Sequence, residues 1–489
     1  MGINLTKGND MLDRIRNLKS AILILIAGLL PLVVRYSIVA LVGGDTVSFT
    51  ENRVMYTYNY FEAYKAYILI TSSVFLLALM LAENFYDRKK LQVRPSLWIP
   101  LTTYTAILFL STAMSRFPYN ALWGFTNRME GFFVLLSYII LFLAAYTYAN
   151  DQATFKKSFS QLEAFMMAGA AAISIIGLLQ LWGTDPFTWK TFYPVLVPGD
   201  MRAFLPAVES KFIKRAYTTL SNPNYVGSYC SLALTFFMVR FLGRHKEGKR
   251  RIFYGLSIFA LTSLLIASRS RAGMVGVAAA MAIVFLLDIR KLKKRYKDWA
   301  LLASIVAMSA LFLEITTGGF VSSWLAAMGG RFEWFRNTFP LMFAENGMRN
   351  EDVLNMGSGR MLIWKLTLPM MKDTVFIGNG PDTFLFHYPQ AKYLEMGGKA
   401  FVSKPHNLYM QIFVNTGGLA LLSFLGFVFG IFKSAWKSLA ENPLQNFQAP
   451  FAAAIAAYMV TGFFNDSVVS SAPIFWIFLG ILAGMNERG

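Results

Sequence analysis

The feature that most constrains the fold of this chain is a series of long apolar runs that recurs along its whole length. A helix needs about twenty mostly apolar residues to cross the hydrocarbon core of a bilayer. Such runs, separated by charged or Gly/Pro-rich breaks, predict about twelve membrane-spanning helices. The predicted spans are 20–42, 67–84, 97–114, 131–149, 162–183, 225–243, 252–268, 272–289, 299–317, 406–432, 449–465 and 471–486.

Composition supports a membrane protein and excludes two other classes. Apolar residues make up 55% of the chain and charged residues only 15%, which is more apolar surface than a soluble fold can bury. The net charge of +19 would suggest a nucleic-acid partner in a soluble protein, but in a polytopic protein Lys and Arg collect in cytoplasmic loops. We therefore expect no nucleic-acid partner. The one cysteine, Cys230, excludes a disulfide framework.

The basic residues also predict the orientation of the spans. They cluster before the first span and in alternate connections, and with twelve spans all of these segments lie on one side. The clusters are 7–19, 88–94, 156–157, 244–251, 290–297, 433–437 and the tail at Arg488. The positive-inside rule assigns that side, with both termini, to the cytoplasm. The apolar stretch from Ala21 is too long for a cleavable signal, so we expect it to be the first span.

The connections on the outer side include one that is too long to be a simple link. Residues 318–405 are predicted to fold as an extracytoplasmic loop between spans one to nine (1–317) and spans ten to twelve (406–489). Within it we expect an amphipathic surface helix at 331–343 and a helix over 359–371, capped by Ser358 and kinked or shortened by Pro369. A further short helix is expected from Asp382. The predicted fold class is an all-α polytopic membrane protein.

Two arginines break the charge rule. The outer connection between spans seven and eight reads Ser268-Arg269-Ser270-Arg271. Either these side chains reach outward to the phosphates of the outer leaflet, or they bind an anionic group. We favour the second reading, because the planar guanidinium group suits phosphate oxygens in a partly dry site.

Other polar residues of the outer side are candidates for the same site. Arg360 follows Ser358 in the first turn of a predicted helix, where free N–H groups favour an anion, although it could also be a solvated loop charge. Arg215 precedes the polar run 221–224 at the start of span six, and we assign substrate binding to Arg215 and Asn224. Arg128 and Glu130 are predicted to pair with each other.

Of the three histidines, His406 is the candidate for acid–base chemistry. It lies with Asn407, a candidate substrate-binding residue, where the large loop meets span ten, and a neutral imidazole can accept a proton near neutral pH. His245 is expected to be solvated and His387 to be a packing or surface residue. No HExxH, paired cysteines or DxD motif occurs in the large loop. We therefore expect no metal and no cofactor, and a lipid-linked pyrophosphate as the anionic donor on this side.

Several short stretches, in this order along the chain, resemble the O-antigen ligase and polymerase superfamily of lipid-linked glycan glycosyltransferases. The resemblance extends from about residue 120 to the C-terminus and rests on their order combined with the spans and the large loop. The stretches are 127–131 (NRMEG), 221–224 (SNPN), 270–273 (SRAG), 359–364 (GRMLIW), 377–384 (IGNGPDTF), 405–409 (PHNLY) and 417–418 (GG).

The resemblance implies an inverting, metal-independent glycosyl transfer outside the bacterial cytoplasmic membrane. The donor would be a glycan on undecaprenyl pyrophosphate, and the acceptor a hydroxyl of another glycan or of a lipid-linked sugar. The family positions correspond to Arg271, Arg360 and His406 as catalytic residues, with Arg269 and Arg215 in support. The doubled Ser-Arg leaves open whether Arg269 or Arg271 fills the family position; the following Ala-Gly favours Arg271.

Two alternatives remain open from the sequence. A polymerase joins repeat units on one carrier, whereas a ligase moves a finished glycan to a different acceptor, and we lean to the polymerase. A transporter or lipid flippase is the alternative from another class. Transporters usually carry ionisable groups near the bilayer midplane and often internal repeats. Here Arg35 is the clear charge deep in a predicted span, and it could instead mark an early end of the first helix.

Overall fold

The structure is a computed structural model. It describes residues 2–42, 54–59, 61–87, 95–126, 128–199, 212, 214–243, 248–338, 359–398, 401–441 and 443–485. The helices of these residues are α1 (Gly2–Leu29), α2 (Ala63–Asp87), α3 (Pro95–Ala113), α4 (Pro118–Trp123), α5 (Phe132–Asn150), α6 (Gln152–Leu181), α7 (Tyr193–Leu196), α8 (Pro223–Gly243), α9 (Gly248–Ser268), α10 (Arg271–Asp288), α11 (Leu292–Thr317), α12 (Phe320–Thr338), α13 (Arg360–Asp373), α14 (Phe384–His387), α15 (Gln390–Glu395), α16 (Leu408–Asn415), α17 (Gly418–Glu441), α18 (Ala449–Thr461) and α19 (Ala472–Met485). Strands β1 (Ser37–Val42) and β2 (Val54–Asn59) pair in an antiparallel ladder.

Nine segments of the described chain are long and apolar enough to cross a membrane. One of them, Arg271–Thr317, contains both α10 and α11. The chain folds back between these two helices, because the rings of Phe285 and Trp299 lie 5.1 Å apart although fourteen residues separate them. Helices α18 and α19 are apolar but shorter. A mostly helical, polytopic membrane protein is therefore confirmed, while a count of twelve crossings stays a prediction.

The first predicted span, 20–42, is wrong in its second half. Helix α1 is followed by a 3-10 turn at Leu30–Leu32, and the chain then continues into strand β1. Pro31 cannot donate the next helical hydrogen bond, and the β-branched Ile38 and Val39 favour an extended strand. Arg35 thus lies beyond the helix, stacked over the ring of Tyr64 at 5.6 Å, which agrees with an early end of the first helix.

The tenth predicted span, 406–432, is broken into two helices, α16 and α17. Gly417 has a φ of +125°, and a Cβ atom there would lie 2.6 Å from the carbonyl oxygen of Phe376. The backbone of the large loop satisfies the groups freed by the break. Gly378 N–H donates to Thr416 O at 2.9 Å, and Gly418 N–H donates to Thr374 O at 2.9 Å. The loop is therefore bound to the start of α17.

Helices α8 and α19 lie in the centre of the bundle, where nearly every residue of both is buried. Helix α19 packs closely on α5 because Gly480 and Gly484 face the carbonyl oxygens of Phe142 and Tyr146, leaving no room for a Cβ atom. Both helices begin near the polar connections described below, so these connections lie over their N-termini.

One end of the bundle, which we call the basic end, collects the predicted basic connections. Ion pairs and hydrogen bonds there join the first part of α1, the end of α2, the α5–α6 connection, the end of α8, the starts of α9 and α11, and the end of α17. These contacts are Arg16 with Asp87 and Asp151, Lys19 with Glu83, Arg240 with Glu163, Arg251 with Asp298, and Lys291 with the carbonyl oxygen of Glu441. The described parts of the remaining connections lie at the opposite end, which we call the site end.

Candidate functional site

Three arginines from two connections meet at the site end. Arg271 is the first residue of α10, exposed, and Ser270 before it caps the helix by accepting from Gly273 N–H at 3.4 Å. Arg269 lies in the turn before this cap, at a φ of +53°, with its guanidinium carbon 4.4 Å from the ring centre of Phe320. Both predicted arginines therefore stand at the N-terminus of a helix, whose free N–H groups favour an anion.

Arg215 joins this pair from the connection before α8. Its Nε atom donates to the carbonyl oxygen of Ser268 at 2.8 Å, which fixes the side chain beside the turn. Burial lowers the pKa of Arg215, and the positive charges of Arg269 and Arg271 lower it further. The structure thus brings the three predicted arginines together, and we call Arg215, Arg269, Arg271 and Arg360 the arginine cluster.

Arg360 reaches the cluster from the large loop. It is the first residue of α13, and Gly359, at a φ of +81°, holds the N-cap position predicted for Ser358, which lies outside the described residues. Burial lowers the pKa of Arg360; the charge of Asp466 opposes this, and the charge of Arg271 adds to it. Arg360 is therefore close enough to Arg271 and Asp466 to interact with the charges of both. Pro369 lies inside α13 without ending it.

His406 faces a buried carboxylate. Its Nδ1 atom lies 3.3 Å from Oδ2 of Asp466, which is 3% exposed and lies in the connection between α18 and α19. The imidazole is 28% exposed. An Nδ1–H group that donates to the carboxylate leaves Nε2 as the basic nitrogen. Burial lowers the pKa of His406, and the charge of Asp466 and its hydrogen bond to the imidazole oppose this shift.

Asp466 is held in its charged form by its hydrogen bond from His406 and by the nearby cations Lys404 and Arg128. Burial alone would raise its pKa, but His406, Lys404 and Arg128 together hold the pKa well below its usual range. Lys404 Nζ lies 3.7 Å from Oδ2 of Asp466 and 4.5 Å from the ring centre of Tyr225, whose hydroxyl it also contacts. The carboxylate is thus anchored to the large loop and to the start of α8.

Asn224 and Asn407 lie at this site, but their contacts are structural. The carbonyl oxygen of Asn224 accepts from Asn465 Nδ2 at 2.8 Å, next to Asp466. Asn407 caps α16, since its Oδ1 accepts from the N–H groups of Tyr409 and Met410 at 2.9 and 3.0 Å. Its Nδ2 donates to Phe463 O at 3.0 Å. These contacts position the chain beside His406, and a direct role in substrate binding stays a prediction for both residues.

The predicted pair of Arg128 with Glu130 is wrong. Arg128 Nε donates to Asp382 Oδ1 at 2.7 Å, and Arg128 also donates to the carbonyl oxygen of Ser403 at 2.9 Å. Glu130 instead accepts hydrogen bonds from three neutral side chains. These donors are Tyr138 Oη at 2.7 Å, Ser467 Oγ at 2.7 Å and Gln411 Nε2 at 3.1 Å. Arg128 thereby ties the large loop to the start of α5, a long-range contact that spacing along the chain does not indicate.

The sequence interpretation missed Asp466, Lys404 and Asp382. Asp466 had a usable signal, because it is the one charged residue between Ala449 and Met485. A lone carboxylate between two apolar helices needs a cationic partner or a function. Lys404 and Asp382 carry no comparable signal, since their charged partners, Asp466 and Arg128, are distant along the chain.

Of the other two histidines, His387 lies apart from this site. His387 packs edge-on against Phe117 at 5.4 Å, as expected of a packing residue, and His245 lies outside the described residues. In the described part of the chain, no three His, Cys, Asp or Glu side chains are placed to hold a metal ion.

Comparison with known proteins supports a specific family. Residues 230–425 match the family model described as O-Antigen ligase. No curated protein matches the chain. The matched segment begins within α8 and contains Arg269, Arg271, Arg360 and His406. This match covers part of the chain and supports its resemblance to the O-antigen ligase and polymerase superfamily, which its motifs also indicate.

Proposed function

We propose that this protein transfers a glycan from undecaprenyl pyrophosphate to an acceptor sugar hydroxyl on the outer side of the bacterial cytoplasmic membrane. The family supports glycosyl transfer by a membrane-bound ligase or polymerase. The observation that carries the specific proposal is the arrangement of the arginine cluster beside the His406–Asp466 pair. One part suits a polyanionic leaving group, and the other suits a hydroxyl that must lose its proton.

The arginine cluster fits the pyrophosphate. Arg269 and Arg271 lie close enough to Arg215 to lower its pKa, so positive charge is concentrated at this site. A pyrophosphate gains negative charge as its bond to the sugar breaks. Guanidinium groups aimed at this charge stabilise the transition state by about 3 kcal/mol for each well-placed donor. Such groups could carry this load without a divalent metal.

His406 is the proposed general base. The acceptor oxygen attacks C1 of the donor sugar from the face opposite the pyrophosphate, and the C1–oxygen bond to the pyrophosphate breaks, which inverts the configuration at C1. Nε2 of His406 takes the hydroxyl proton, while Asp466 stabilises the imidazolium that forms. The electron pair of the broken bond stays on undecaprenyl pyrophosphate beside the arginine cluster.

The orientation of the chain is part of the proposal. The paired cations of the basic end follow the positive-inside rule, which supports a cytoplasmic basic end and an external site end. Cysteine at Lys392 in α15 should react with a membrane-impermeant thiol reagent in intact cells, and cysteine at Lys156 in α6 should react only after permeabilisation. The opposite labelling pattern would place the site on the wrong side for this donor.

The direct test uses purified protein with a glycan linked to undecaprenyl pyrophosphate, in detergent with a metal chelator. We expect glycan transfer and release of undecaprenyl pyrophosphate from the wild type, and loss of both with His406→Ala. A product ladder from donor alone indicates a polymerase, whereas transfer only after a foreign acceptor is added indicates a ligase. Wild-type transfer by His406→Ala would refute the assignment of the base.

A further inference from the structure

A cationic cavity lies at the site end, and none of its lining residues belongs to the arginine cluster. Its volume is about 620 Å³, which lies within the usual range of small-molecule sites. The walls come from the residues after α3, the end of α13 and the segment 375–379. The lining includes Arg116, Lys372, Asp373, Phe376 and His387. We propose that this cavity binds the phosphate headgroup of a lipid in the outer leaflet.

The charges of the cavity favour an anion. Arg116 and Lys372 supply two positive charges against one carboxylate, Asp373. Within the described parts of the chain, neither cation forms an ion pair. The Nε2 atom of His387 is buried and has no hydrogen-bond partner among the described residues. An arginine, a lysine and an imidazole around one space can share the oxygens of a phosphate group.

The position of the cavity selects a lipid. Gly418 and Leu419, the first residues of α17, donate to the carbonyl oxygens of Thr374 and Val375 at 2.9 and 3.0 Å. Ser115, two residues after α3, donates to the carbonyl oxygen of Asn379 at 2.8 Å. The cavity is thus fixed to the ends of α3 and α17, which are both candidate spans.

The rim of the cavity is apolar and continues along these helices. Phe376 is 69% exposed and Met114 is 66% exposed. Below them, large apolar side chains on α3 and α17 are also exposed: Phe109, Leu110, Leu419 and Leu422. Exposed apolar faces on spanning helices are those that contact acyl chains, and cations at the edge of such faces lie at headgroup level. A free phosphate would use the charges but not the apolar rim.

The test measures lipid retention by the purified full chain, in detergent, using native mass spectrometry. Dioleoylphosphatidylglycerol is the anionic probe and dioleoylphosphatidylcholine the zwitterionic one. We expect the wild type to retain the anionic lipid preferentially, and Arg116→Ala/Lys372→Ala to bind it at least about tenfold more weakly. Lys392→Ala, an exposed cation elsewhere on the large loop, is the matched control and should bind as the wild type does.

Two further arms make the outcome decisive. Arg116→Lys/Lys372→Arg keeps both charges and should restore retention, which distinguishes lost binding from damage to the fold. Arg116→Ala/Lys372→Ala should lose the same amount of lipid retention when Arg271→Ala is also present. The result therefore does not depend on the glycosyl-transfer site. The proposal would be overturned if the double alanine variant retained the anionic lipid as well as the wild type does, or if the wild type bound both lipids equally. Binding of inorganic phosphate as strong as that of the anionic lipid would also overturn it.

Discussion

At the basic end Arg240 lies against Glu163, Arg251 against Asp298 and Arg16 against Asp87, so cations and carboxylates from different helices meet in pairs. At the site end Arg215 lies beside Arg269 and Arg271, and these positive charges lower its pKa. The same residue type therefore serves two purposes. Arginines that face carboxylates connect helices, whereas the clustered arginines place like charges near one another, and an anion would stabilise that arrangement.

The comparison separates residues that hold the fold from residues that meet the substrate. A buried cation that faces a carboxylate interacts with it as soon as the protein folds. Removing the cation leaves the carboxylate buried without its partner and therefore destabilises the folded protein. A cation in a like-charged cluster gains a further favourable interaction when an anionic ligand binds. Each prediction below tests whether residues at one end of the bundle affect mainly the stability of the fold or mainly glycan transfer.

The largest expected effect on stability is at the basic end. Arg240→Ala leaves Glu163 buried without its cation, and we expect a loss of about 3–5 kcal/mol in the free energy of unfolding. Arg271→Ala, an exposed residue of the cluster, should change it by about 0.5 kcal/mol or less. Unfolding of both variants by denaturant in the same detergent measures the difference. Equal losses would show that the two ends do not differ in this way.

Glu130 tests whether the folded protein destabilises the ionised form of a buried carboxyl group at the site end. Burial raises its pKa from 4.5 to about 7 in spite of hydrogen bonds from Ser467 and Tyr138, so folding favours the protonated form. The stability from this group is present below pH 4.5 and is lost as the pH rises to 7. Relative to Glu130→Gln, the wild type should lose about 3 kcal/mol across this interval.

Unfolding curves of the two proteins at pH 4.5 and pH 8 provide the measurement. Glutamine keeps the shape of the protonated carboxyl group and cannot ionise, so it is the matched comparison. A constant difference in stability between the two proteins at both pH values would mean that Glu130 titrates in the folded protein as it does in the unfolded chain.

Much of this architecture could be predicted from the sequence, because it depends on local pattern. Apolar runs located the helices, and the basic connections indicated which ends of the helices meet. The break between α16 and α17 was missed because the apolar runs on both sides of 415–418 were interpreted as one span. The hydrogen bonds that stabilise the break come from residues 374–380, which are distant in sequence. The early end of the first span depends on strand pairing with residues 54–59.

The sequence predicted several residues of the candidate site but did not predict which side chains interact with one another. Charge asymmetry selected Arg269 and Arg271 as exceptions, and the resemblance to a family aligned Arg360 and His406 with them. Asp466 was missed although it is isolated in an apolar region, and Arg128 was paired with the wrong carboxylate. Both errors concern partners more than fifty residues apart, which spacing does not indicate.

Replacing Asp466 should slow glycan transfer and should also shift the pH dependence of the transfer rate. Asp466→Asn removes a charged hydrogen bond to His406 worth about 1.5–3 kcal/mol, so we expect transfer to slow by roughly tenfold to a hundredfold. Because the carboxylate raises the pKa of His406, its removal lowers that pKa further. The fall in transfer rate on acidification should therefore move to lower pH in the variant. A shift to higher pH would contradict the pairing.

The central claim is that the arginine cluster stabilises the departing pyrophosphate, and the rate of glycan transfer by Arg271→Ala tests it most directly. The rate should be measured at saturating lipid-linked donor in equal amounts of folded protein, with Lys392→Ala as the control. The account predicts a fall of about 10²–10³-fold for Arg271→Ala and no change for the control. A rate within about twofold of the wild type for Arg271→Ala would contradict it.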